Sequence, residues 1–162
     1  MLEANITGWT PGEVKVVNAI KNTVRWVNDR NDQLADIGLL LLRLGIGLTM
    51  AFAHGWGKIA KLFTESPVKF PDPIGVGSFM SLLLAGSAEF FAALFIAAGF
   101  LTRLSAIPLA FTMIVAAFVI HADDPWRKQE FAFIYFIPCL ALIFTGPGKY
   151  SVDSWIMTKL KG

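Results

Sequence analysis

Arg43, His54, Lys58, Glu89, His121 and Glu130 stand in or at the ends of stretches otherwise apolar enough to cross a bilayer. Arg43, His54 and Lys58 share the run Asp36–Lys61, and at about 100° per residue they fall within roughly 60° of one another on a helix. An unpaired charge facing lipid costs several kcal/mol, so this stripe is expected to look into a helix bundle and find partners there. Depth sorts the six residues into two layers. Arg43 lies about two turns from one end of its helix, and Glu89 nearly three turns from the matching end of the next, which predicts a buried ion pair between Arg43 and Glu89. His54 and Lys58, at the other end, come level with His121 and Glu130. An imidazole, with its ordinary pKa of ~6.5, beside a carboxylate can exchange protons near neutral pH. These four are the candidates for ligand binding and proton handling, and no catalytic residue in the strict sense is identified.

A quinone suits such a layer, because its head group needs an apolar slot, donors for its carbonyls and a group that exchanges protons. No metal is expected, since His54 and His121 lack a close-spaced ligand motif. The chain has one cysteine, Cys139, which excludes an internal disulfide, a Cys-x-x-Cys pair and a multi-cysteine metal site. Cys139 itself reads as a small core residue. No sequence signature for a covalently held cofactor, a nucleotide loop or iron–sulfur ligands is present.

The elements that must position these groups are all helical. At 55% hydrophobic residues, mean hydropathy +0.58 and a net charge of +2, the 162 residues suit one small membrane domain and no nucleic-acid partner. The expected class is an all-α integral membrane four-helix bundle with an N-terminal amphipathic interfacial helix. Its divisions are 1–33 for the N-terminal segment, 34–148 for the bundle and 149–162 for a C-terminal interfacial segment. Thr10-Pro11-Gly12-Glu13 predicts a capping box, after which Val14, Val17, Ile20, Val24 and Val27 recur at helical spacing. The four spans are then Asp36–Lys61, Ser78–Phe100, Leu104–His121 and Glu130–Thr145. Small residues at Ala85, Gly86, Ala93 and Ala97 surround Glu89 and should let a neighbour come close. The stretch Thr64–Gly77 holds three prolines and two glycines and is expected to be an external loop. With four spans both termini share a side. That side carries eight Lys and Arg outside the bilayer against five on the other, which favours cytoplasmic termini.

LLLRLGIGLTMAFAHGWGKI with Arg43, Gly47, His54, Gly55 and Lys58, AGSAEFFAALFIAAGFLTRLSAIPLA with Glu89, Gly99, Thr102 and Arg103, His121, and GPGKYSVD at Gly146–Asp153 together resemble the DoxX family. The resemblance covers about residues 34–155. It implies a small four-helix protein of a bacterial or archaeal plasma membrane, related to thiosulfate:quinone oxidoreductase membrane subunits and to accessory subunits of respiratory complexes. Two functions are therefore expected to compete. One is the membrane subunit of a quinone-linked oxidoreductase, binding a quinone or small polar ligand between helices. The other is a non-catalytic accessory or assembly subunit of a larger membrane complex. The expected partners are the lipid bilayer, other complex subunits and a quinone.

Overall fold

The computed structural model describes residues 9–161; the first eight residues of the expected 1–33 segment, and Gly162, lie outside that range. Within it every regular element is helical: α1 (Pro11–Thr49), α2 (Trp56–Thr64), α3 (Ser78–Ser87), α4 (Ala93–Ala98), α5 (Thr102–Val115), α6 (Trp126–Thr145) and α7 (Val152–Lys161). Three π-helical turns, Met50–Gly55, Ala88–Ala92 and Ala116–Ile120, join α1 to α2, join α3 to α4 and extend α5. The result is four helices long and apolar enough to cross a membrane: Pro11–Thr64, Ser78–Ala98, Thr102–Ile120 and Trp126–Thr145. By their contacts the residues divide into two units, Met1–Ala35 and Asp36–Gly162.

In the first unit the capping box forms as its sequence predicts. The Thr10 N–H donates to Glu13 Oε2 at 2.7 Å, and the Glu13 N–H donates to Thr10 Oγ1 at 3.3 Å, so the helix start satisfies two otherwise orphaned donors. Val16, Ile20, Val24 and Val27 are exposed, and the Arg30 guanidinium lies over the Trp26 ring at 4.6 Å. A separate interfacial helix was expected here. The helix that carries these residues is instead itself one of the candidate spans.

The second unit has an apolar core that includes Met50, Leu82, Ile96, Leu109, Met113 and Leu142, and it buries small and polar residues beside them. Its interior holds Ala51, Ala88, Ala93, Ala97, Ala106, Ala110 and Ala117, together with buried Arg43, Ser81, Glu89, Thr102 and Ser105. Leu41, Phe52, Leu104, Phe111, Phe118, Ile137 and Phe144 are more than half exposed. Lipid tails are as apolar as these outer side chains, so nothing drives them inward, while small residues in the interior let backbones approach. The glycines show how close that approach is. A Cβ at Gly47 would stand 2.6 Å from the Ala93 carbonyl oxygen, and one at Gly55 would stand 2.5 Å from the Glu89 carbonyl. Gly86 in turn faces Lys58 and Ile59. These contacts run in opposite chain directions, so the first and second spans are antiparallel and Glu89 is level with Gly55.

One detail differs from expectation. The fourth helix begins at Trp126, directly after Pro125, so Glu130 sits one turn inside it rather than at its start; a proline ahead of the first turn is an ordinary helix opening. It continues through Pro138, as α5 does through Pro108, in keeping with the expected spans.

Candidate functional site

Each of the three π turns delivers one chemistry-bearing residue to the same end of the bundle. His54 lies in the first, Glu89 in the second, and His121 comes directly after the third as its C-cap. A π turn takes one more residue than an α turn, and it re-aims the side chains in and after it. Lys58, on α2, reaches Glu89, which is buried, and forms a direct ion pair with it. Gly55 makes this geometry accessible by letting the first span lie against the backbone at Glu89.

Two cavities share Lys58, Glu89, Ala116 and His121 as walls. The larger, about 370 Å³, is mostly apolar: Leu84, Ala85 and Ala88 come from the second span, and Pro108, Phe111 and Val115 from the third. Phe70, Pro71, Pro73 and Ile74 of the proline-rich loop close one side of it. That loop is held by Asp72, whose Oδ1 accepts from the Ser81 hydroxyl (2.7 Å) and the Val76 N–H (3.0 Å), and whose Oδ2 accepts from the Gly77 N–H (2.7 Å). The Ser81 hydroxyl first, then the Gly77 amide, keeps the Asp72 carboxyl below the usual carboxylate range. The smaller cavity, about 180 Å³, is lined by His54, Lys128, Phe131 and Tyr135 in addition to the shared residues. The His54 ring meets Phe131 and Tyr135 edge-on, with centroids 5.5 and 5.8 Å apart.

His54, Lys58 and His121 are thus brought together as expected from the sequence, and Glu130 is not. Glu130 is exposed and lines neither cavity. The carboxylate between the cavities is Glu89, and the one bound to His121 is Asp124, whose Oδ2 lies 2.7 Å from Nδ1. The spacing of His121 to Asp124 and of Asp124 to Lys128 carried the signal for the second of these, since groups three and four apart meet across one turn. Among the described residues no group of three or more His, Cys, Asp or Glu is placed to hold a metal.

The predicted Arg43–Glu89 pair does not form. Arg43, fully buried, donates from Nη1 to the carbonyls of Ala97 (3.2 Å) and Ile96 (3.4 Å), and from Nη2 to that of Tyr150 (2.5 Å). Glu89 faces Gly55, twelve residues along from Arg43, or roughly 18 Å of helical rise, beyond the reach of an arginine side chain. The Arg43 end is instead tied together by the GPGKYSVD segment. The Lys149 N–H donates to Asp36 Oδ1 at 2.8 Å. Asp153 accepts from the N–H groups of Leu101 (2.7 Å) and Thr102 (3.0 Å), while its own N–H donates to the Gly99 carbonyl at 2.9 Å. Gly99 and Leu101 both have positive φ, 72° and 45°. For leucine that conformation is costly, and the Asp153 carboxylate holds it by satisfying the turn's two amides. Gly99 is required twice over, because a Cβ there would collide with the Arg43 guanidinium and the Ser151 side chain.

Four long apolar helices with polar groups inside and large apolar groups outside define a multi-pass membrane protein. The DoxX family model matches residues 38–122. The inner membrane protein YqjF of Escherichia coli strain K12 is 32% identical over 131 residues, a stretch covering 78% of this chain and 98% of YqjF. No solved structure matches. The chain belongs to the DoxX family and is a multi-pass inner membrane protein.

Proposed function

We propose that this protein is the quinone-binding membrane subunit of a larger oxidoreductase. One observation carries the reading: an apolar cavity of about 370 Å³, within the range of small-molecule sites, has Lys58, Glu89 and His121 on its wall. A bound quinone would supply two-electron, two-proton chemistry. Lys58 and His121 would donate hydrogen bonds to ring carbonyl oxygens, and the apolar residues of the second and third spans would hold the ring. Glu89, in contact with Lys58, and His121 are the groups that would take up and return protons. With one cysteine in 162 residues the chain has no dithiol of its own, so the electrons would come from a partner subunit. His54, walled by Phe131 and Tyr135, belongs to the neighbouring cavity.

The test is a titration of the purified protein in mild detergent with a short-tailed benzoquinone, monitored by quenching of tryptophan fluorescence. Saturable quenching that is lost in the His121→Ala, Lys58→Met double variant supports the site. Quenching that persists unchanged in this variant places the quinone elsewhere. No saturable quenching with any quinone transfers the assignment to an accessory or assembly subunit.

The same reading sets the termini on the cytoplasmic side. A cysteine introduced at Lys69 should react with an impermeant maleimide in cells whose inner membrane is intact, and one at Lys159 should not. The opposite labelling reverses the orientation.

A further inference from the structure

The short connection from α5 to α6 is bonded more densely than a surface loop requires. Besides the contact of His121 Nδ1 with Asp124 Oδ2 at 2.7 Å, Lys128 Nζ donates to Asp124 Oδ1 at 2.9 Å. Gln129 Nε2 donates to the His121 and Ala122 carbonyls at 2.9 and 3.1 Å, and the Asp124 N–H donates to the His121 carbonyl at 3.1 Å. His121 and Asp124 are both about one-third exposed, so this cluster joins the cavity walls to the protein surface.

We propose that Asp124 is a positioning residue which holds the proton of neutral His121 on Nδ1, leaving Nε2 as the nitrogen available to the two cavities that His121 lines. A carboxylate can only accept from an imidazole, so its partner nitrogen must carry the hydrogen, and the other nitrogen is then the site of proton uptake. Lys128, and after it His121, keeps Asp124 below the usual carboxylate range, so it remains an acceptor through the physiological range. Other charged and titratable groups share the cavities with His121: Lys58 and Glu89 in both, and His54, Lys128 and Tyr135 in the smaller. Lys58 and Glu89 are paired with each other and Lys128 with Asp124, which leaves the Asp124 carboxylate as the charged group bonded directly to the His121 ring. The inference builds on the proton-exchange reading of the site. It adds the residue that sets which nitrogen exchanges.

The chain has two histidines, so protein with ¹⁵N-labelled imidazoles in a His54→Gln background reports His121 alone. Without any quinone present, the ring nitrogen shifts should show the Nδ1–H tautomer at high pH. Asp124→Asn should let the Nε2–H tautomer appear, Asp124→Glu should bring Nδ1–H back, and Asp123→Asn, which alters a neighbour outside the cluster, should leave the tautomer in place. An Nε2–H tautomer in the protein with Asp124 intact, or a tautomer unchanged by Asp124→Asn, overturns the proposal. If Asp124→Asn does not fold, the tautomer in the protein with Asp124 intact still decides it. Because no ligand is present, a failure of quinone binding leaves this result standing, and the reverse also holds.

Discussion

The two ends of the bundle bury charge in different ways. Among the described residues no carboxylate contacts Arg43; its guanidinium closes on three backbone carbonyls from α4 and from the segment before α7, and glycine turns and the Asp153 carboxylate fasten the same end. Glu89, on the neighbouring span, is almost as deeply buried. It meets a side chain, Lys58, on a wall between two cavities. A charge that saturates main-chain groups at a junction of elements ties the fold together, and little is left over for a ligand. A side-chain pair at a cavity wall keeps atoms that a ligand or a proton can reach. By that criterion the motif residues near Arg43 are structural, and the functional reading rests on the Lys58, Glu89 and His121 end.

The largest effect should come from the fastened end. Arg43→Met leaves the Ala97 and Tyr150 carbonyls unpaired in a low-dielectric interior and should cost on the order of 3 kcal/mol in reversible unfolding from detergent micelles. Combined with Glu89→Gln the two losses should add, because the residues have separate partners. A coupling energy well above about 0.5 kcal/mol would show that the ends communicate and would break the comparison.

At the open end, Lys58→Met alone strands the buried Glu89 carboxylate and should cost on the order of 2–3 kcal/mol. Lys58→Met with Glu89→Met should recover most of that loss, since an apolar pair can replace a buried ion pair, while quinone quenching should disappear. Full stability with unchanged quenching would remove the pair from the site.

The smallest effect should appear at the loop over the larger cavity. The Asp72 carboxyl is depressed in the folded protein, so its contribution is complete above its ordinary pKa of ~3.9 and is lost as pH falls through the lower folded value. Amide exchange at Val76 and Gly77, corrected for intrinsic rates, should therefore be unchanged from pH 7 to about pH 5 and accelerate only below the ordinary carboxylate range. Asp72→Ala should show the fast exchange at every pH. Acceleration already near pH 6 would mean that another group holds the loop.

Much of this architecture was legible in the chain. The apolar runs, interrupted by Pro67–Pro73 and Asp123–Arg127, mark out the spans because a bilayer demands length and hydropathy together. Alanine and glycine repeats mark the faces that approach, and Thr10 with Glu13 marks a helix start that local hydrogen bonding alone dictates. His54, Lys58 and His121 were identifiable as one layer because charge in such stretches is costly unless it is shared. The pairing was not legible. A uniform turn of 100° per residue cannot anticipate the three π turns, each of which takes an extra residue and rotates every side chain beyond it. Nor does hydropathy set the offset between antiparallel helices. That offset is chosen where Gly47 seats against Ala93 and Gly55 against Glu89, a fit of one backbone into another that exists only once both helices are present. It gave Glu89 to Lys58 and Arg43 to the carbonyls of Ala97 and Tyr150, whereas the contact of His121 with Asp124, three residues on, is local and its spacing stood in the chain.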